Sequence, residues 1–200
     1  MLIKSVNLLS AIGLICLVLL FGACQDEPEA PSPPVTGIVH KKLLHPENFT
    51  YGTPKVLDLD GDTVIDFQFG VILLGNEFGD HYQFVVSPVR ANTALLNELE
   101  AIPLESNFEI GENTQQEGLS WDIGVGKLLT KLQRQSGAPS WSGTWSTVPD
   151  GIVGVRFFIG EKAHFGWIKI GNDHYSDRMT LLEYAYNSEP GKPIRSGQTE

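Results

Sequence analysis

Hydrophobic and polar positions alternate with a period of two over several stretches of this chain, and that period belongs to strands. The clearest run covers residues 64–73. Ile65, Phe67, Phe69, Val71 and Leu73 fall on one face, and Asp66 and Gln68 point the other way. The turn-rich segment GNEFGD follows, and residues 81–86 return with aromatic and β-branched side chains. This pair predicts a hairpin. A second hairpin is predicted over IVGVRFFIGEKAHFGWIKIG. There Val153, Val155, Phe157 and Ile159 alternate, residues 160–163 turn, and residues 164–170 return. Residues 179–186 read as one more strand. Helical spacing is scarce. Residues 94–102 place Leu95, Leu96, Leu99 and Ile102 at helical intervals, enough for two turns, and residues 127–133 are similar and shorter. Together these patterns predict an all-β domain, an antiparallel β-sandwich or jelly-roll-like fold with at most one or two short helices.

The N-terminus follows a different pattern. Lys4 precedes an apolar run over residues 6–21, broken by Asn7, Ser10 and Gly13, and Gly22, Ala23 and Cys24 close it. Small residues directly before a cysteine, after such a run, resemble a bacterial lipoprotein signal. Phe21 departs from the small aliphatic residue usual three places before the cysteine. The resemblance implies cleavage after residue 23 and lipidation of Cys24. A plain secretory signal cut near Ala23, or an uncleaved anchor, is the competing reading. Gln25-Asp26-Glu27, directly after the cysteine, resembles the acidic export signal of surface lipoproteins in Bacteroidetes-type bacteria. Acidic residues that simply begin a solvated tether would look the same.

The domain layout follows. Residues 1–23 are the signal, and residues 24–37 carry the lipidated cysteine and a linker with Pro28, Pro31, Pro33 and Pro34. An extended proline-rich linker of this length reaches roughly 30–40 Å. Residues 38–200 form one β-rich domain. Cys16 lies in the signal and Cys24 would carry lipid, so the mature fold rests on its apolar core, without a disulfide. The expected location is the bacterial cell envelope, as an outer-membrane lipoprotein exposed at the surface, with the membrane as first partner.

Charge and composition narrow the function. The net charge is −10 and no basic cluster occurs, which argues against nucleic acid as a partner. Hydrophobic residues make up 42% of the chain, which is enough for one core in a domain of this size. There is no G-x-S-x-G elbow, phosphate loop or C-x-x-C pair, and no two of the five histidines have metal-ligand spacing.

One motif carries specific chemistry. In VLDLDGDTVIDFQFG, Asp58, Asp60, Asp62, Val64 and Asp66 occupy positions 1, 3, 5, 7 and 9 of a loop. Ca²⁺ takes six to eight oxygens, and loops of this spacing supply them, with position 7 giving its backbone carbonyl. The pattern resembles the calcium loops of extracellular β-propeller and thrombospondin-type repeats. Position 12 is Phe69, so this is not an EF-hand, and position 6 is Thr63 where such loops use glycine. A solvated Asp-Gly turn without metal is the other reading. Asp62-Thr63-Val64 also matches a short O-glycosylation acceptor pattern of exported Bacteroidetes proteins.

Trp141 and Trp145 lie in the Gly/Ser-rich SWSGTW segment and are the tryptophans expected to be exposed for glycan contact. Most tryptophans in such a domain belong to the core. The Asp-rich loop leading into DFQF, the VGVRF strand, HFGWIKI and EYAY together resemble a group of exported bacterial proteins of unassigned function. The resemblance implies a secreted β-rich domain and no activity. Two function classes remain: a tethered binding or structural module, its ligand a glycan or another surface protein, and a tethered polysaccharide-acting hydrolase.

Overall fold

The fold comes from a computed structural model that describes residues 37–200 except 114 and 115. The signal segment, Cys24 and nearly all of the linker lie outside the described residues. Among the described residues, no helix is long and apolar enough to cross a membrane.

Among the described residues, thirteen strands build the domain. They are β1 (Ile38–Phe49), β2 (Lys55–Leu57), β3 (Phe67–Asn76), β4 (Gly79–Pro88), β5 (Thr93–Asn97), β6 (Glu109–Ile110) and β7 (Leu119–Asp122). They continue as β8 (Gly126–Gln133), β9 (Ser140–Ser142), β10 (Asp150–Ile159), β11 (Lys162–Asp173), β12 (Arg178–Asn187) and β13 (Ile194–Arg195). A six-stranded sheet runs β1-β12-β11-β10-β5-β7, and a five-stranded sheet runs β2-β3-β4-β8-β9. All strand pairings are antiparallel. The expected all-β sandwich is what the chain forms.

Both predicted hairpins form. β3 and β4 pair from Phe67–Pro88 to Asn76–Gly79, and β10 and β11 pair through Ile159–Lys162. The second turn is therefore two residues, Gly160-Glu161, and Gly160 takes the positive φ of 61° that so tight a turn requires. Val153, Val155 and Phe157 point from β10 into the main core, where they meet Phe67, Phe69, Phe84 and Val86 of the facing sheet. Each such side chain contributes about 1.5–3 kcal/mol on burial.

The six-stranded sheet is buried on both faces. On its far side Leu95, Phe165, Trp167 and Ala185 pack under the small β6–β13 sheet through Ile110 and Ile194. This explains why residues 152–171 are apolar almost throughout: positions between the alternating core residues serve a second core.

The two helical expectations are not met. Among the described residues the helical content is two 3₁₀ turns, Thr144–Thr147 and His174–Ser176. Residues 93–97 form β5, where Ala94 and Leu96 enter one core and Leu95 the other, while Leu99 stands exposed in the following turn. Adjacent leucines here mark a strand buried on two sides. Residues 127–133 lie in β8. A register shift against β4 pairs Phe84 with Leu129 and Val85 with Lys127, leaving Leu128 as a bulge. Leu128 and Leu129 are both buried as a result, which imitates a helical face.

Candidate metal centre

The aspartate loop joins β2 to β3. It closes with the Asp66 amide donating to the Leu57 carbonyl at 2.9 Å. Leu59, between two aspartates, is only 3% exposed and packs in the main core, so it pins the acidic loop to the sandwich. The tyrosine hydroxyl of Tyr184 on β12 reaches the Asp58 carbonyl at 3.5 Å.

Within the loop each carboxylate orders backbone. Asp58 accepts the amides of Gly61 at 2.7 Å and Thr63 at 2.8 Å. Asp60 accepts from the Asp62 amide at 3.2 Å, and Asp62 from the Val64 amide at 2.7 Å. The chain winds tightly enough that Gly61 and Thr63 both adopt positive φ, 83° and 74°. The sequence expectation of a glycine-like conformation at Thr63 is therefore met by a β-branched residue, at a strain of about 1–2 kcal/mol.

Asp66 departs from the expectation that it points away from the core. It lies one residue before β3 begins, and it is 5% exposed. Its Oδ2 accepts the Leu59 amide at 2.8 Å, and its Oδ1 accepts Asn92 Nδ2 at 2.9 Å. The Asp66 carbonyl takes the Val89 amide at 2.8 Å. Asn92, itself buried, accepts the Phe158 amide of β10 at 3.2 Å. Asp66 thus ties the loop to the β4–β5 link and, through Asn92, to the six-stranded sheet.

Three of the five sequence-predicted ligands converge. Carboxylate oxygens of Asp58, Asp60 and Asp66 lie within 4.8 Å of one another. Asp62 stands outside that cluster and is exposed. Among the described residues no Lys, Arg or His forms an ion pair with any of the four aspartates. The electrostatics reflect this. Burial pushes the Asp66 carboxyl above the usual aspartate range, against the lowering effect of the Leu59 and Asn92 hydrogen bonds. Burial also raises Asp60, and the neighbouring Asp62 and Asp58 raise it further. Tyr184 is pushed up to about 12, first by burial and then by the Asp58 charge. An all-oxygen, net-negative cluster of this kind is the donor set that a hard divalent cation takes.

Sequence reasoning missed Asn92 and Tyr184. Neither carries a local signal, because each reaches the loop across the fold. Leu59 did carry one: a large apolar residue inside an acidic run.

The two tryptophans part company. Trp145 is fully buried, and its indole Nε1 donates to the Ala101 carbonyl. It belongs to the main core and cannot contact a glycan, contrary to the expectation from its Gly/Ser-rich surroundings. The reason is the 3₁₀ turn over Thr144–Thr147, which folds its ring inward. Trp141 on β9 is half-buried, with its ring 6.1 Å from Phe84 and 5.2 Å from His174. It stands beside a cleft of about 320 Å³ that includes Tyr51, Tyr82, Lys131 and Asp177 in its lining.

Comparison with protein-family models, with curated proteins and with solved structures gives no match for this chain.

Proposed function

We propose that this chain is a lipid-anchored bacterial envelope protein whose β-sandwich is a binding and structural module stapled by calcium. The observation that carries the staple is the convergence of Asp58, Asp60 and Asp66 with no basic partner among the described residues. Those three carboxylates would hold the ion, and the sequence spacing adds the Val64 carbonyl as a further ligand, while Asp62 lies outside the cluster and orders the Val64 amide. A bound calcium supplies the positive charge that the loop lacks. Asp58 fixes the backbone at Gly61 and Thr63, and Asp66 holds the loop to both sheets. The loop is therefore shaped before any ion arrives, which lowers the ordering cost of binding.

Calcium titration calorimetry on the chain from Gln25 onward tests this. The expected result is a single site that Asp58→Asn and Asp60→Asn each abolish. Heat indistinguishable from buffer in the unaltered protein would remove the staple.

The anchor belongs to the same proposal. Mass spectrometry of the mature chain should find an acylated Cys24 at its N-terminus, and Cys24→Ala should release the protein from membranes. An unmodified N-terminus at another residue would replace the lipoprotein reading with plain secretion. The same spectrum shows whether Thr63 carries a glycan. Binding is favoured over polysaccharide hydrolysis by a feature of the aromatic-lined cleft. Its lining contains one carboxylate, Asp177, already paired with Lys131 at 2.6 Å, whereas glycoside hydrolysis ordinarily uses two.

A further inference from the structure

We infer that the cleft at the end of the sandwich remote from the aspartate loop is a binding site for a neutral oligosaccharide. The site rests on the binding-module reading and is independent of the calcium staple. The cleft lies where the two sheets part. The β1–β2 turn gives Thr50 and Tyr51, the inner face of the five-stranded sheet gives Tyr82, Phe84 and Lys131, and the β11–β12 turn gives Asp177. Its volume of about 320 Å³ is within the range of small-molecule sites.

Aromatic rings define it. Tyr51 and Tyr82 meet edge to face, 5.6 Å apart at 88°, and form a right-angled corner. Tyr51 is 57% exposed, so its ring presents a free surface. Lys131 Nζ lies 5.6 Å from the Tyr82 centroid and 5.7 Å from that of Trp141, joining the two rings. Trp141 continues to His174 at 5.2 Å and His174 to Tyr175 at 4.3 Å. Tyr175 is 92% exposed. The rings that line the cleft, Tyr51, Tyr82 and Phe84, are thereby continued beside it by Trp141, His174 and Tyr175 toward the β11–β12 turn.

The polar groups select the ligand class. Lys131 Nζ and Asp177 Oδ2 are 2.6 Å apart, so their charges cancel locally and nothing there favours an anion or a cation. Their ion pair still fixes N–H donors and carboxylate oxygens at the cleft, next to Thr50 and Ser176. An entirely apolar ligand would bury these groups without partners, which is costly. A pyranose fits both demands: its C–H face lies on an aromatic ring, and its hydroxyl edge exchanges hydrogen bonds with charged and hydroxyl groups. The length of the ring row suits several linked sugars better than one.

The test uses the full chain in a detergent without a sugar headgroup. A microarray of neutral and acidic glycans is followed by calorimetry with the best neutral hit. The expected result is binding to neutral glycans, weakened at least about tenfold by Tyr51→Ala and by Lys131→Met and largely kept by Tyr51→Phe. Both residues lie at the surface of the cleft, and an unchanged unfolding midpoint would show that the variants are folded. No neutral glycan bound, or binding that both substitutions leave intact, overturns the site. Intact binding in the variants would keep the binding-module reading while removing this cleft. A calcium-dependent midpoint, measured on the same variants, reports the staple separately.

Discussion

The two ends of this sandwich handle charge in opposite ways. At the β2–β3 end three carboxylates converge, one of them buried, and no described basic side chain pairs with them. At the β11–β12 end each carboxylate has its own cation: Asp177 pairs with Lys131, which lies against the rings of Tyr82 and Trp141, and Asp173 pairs with Arg178. β11, twelve residues long, separates the two, since the Gly160-Glu161 turn shares a cleft with Asp62 and Asp66 while Asp177 follows its far end. An acidic cluster built around a core-anchored loop asks for charge from outside. A balanced pair among exposed rings asks for a neutral partner. The difference teaches that acidity alone does not mark a site here; the lack of an internal counter-charge does.

Substitutions can break or sharpen this contrast. The largest effect belongs to Trp145→Ala, expected to destabilise the fold by about 3–5 kcal/mol in urea unfolding. Trp141→Ala should cost far less because its ring is only half-buried. Equal losses would return both rings to the same role. Next is Asp66→Ala, which strands the Leu59 amide, leaves Asn92 Nδ2 only the Asp66 backbone carbonyl, and should cost about 2–4 kcal/mol even in chelator. Lys131→Met at the other end should cost less than about 1 kcal/mol, because Asp177 is largely exposed. A similar cost at both ends would erase the asymmetry.

Thr63→Gly should stabilise the protein by about 0.5–1 kcal/mol, because glycine adopts the φ of 74° without strain but loses more freedom on folding. It should also tighten calcium binding. The smallest effect is one of pH. The folded-state pKa of Asp60 lies above its ordinary value, so its contribution is fully present below the ordinary aspartate range and is lost as pH rises through the raised value. In chelator, the unaltered protein should therefore lose stability relative to Asp60→Asn as the pH climbs out of the carboxylate range toward neutrality. Saturating calcium should reverse that trend, because the ionised form is the ligand. Parallel curves with and without calcium would contradict it.

Much of the fold was legible in the chain. The alternation in β3 and β10 marks the strands, and the Asp spacing marks the loop. What escaped did so for physical reasons. β5 is buried on both faces, so its alternation vanishes and its leucines imitate a helix. The bulge at Leu128 does the same for β8. The inward turn of Trp145 depends on a 3₁₀ turn that no local composition announces. Continuing the β3 alternation one residue too far puts Asp66 on the polar face, and its partner Asn92 is 26 residues away. The aspartates of the loop were readable because they are local. The groups that anchor it were not, because they arrive through tertiary contacts.

The central claim is that the aspartate loop holds calcium as a staple, and thermal unfolding tests it most directly. The midpoint should be recorded in chelator and then in rising free calcium, alongside Asp58→Asn. At a hundredfold excess over its dissociation constant the ion should add about 2.7 kcal/mol, which raises the midpoint by about 5–10 °C. The rise should depend on concentration and vanish in the variant. A midpoint that stays the same from chelator to millimolar calcium would contradict the account.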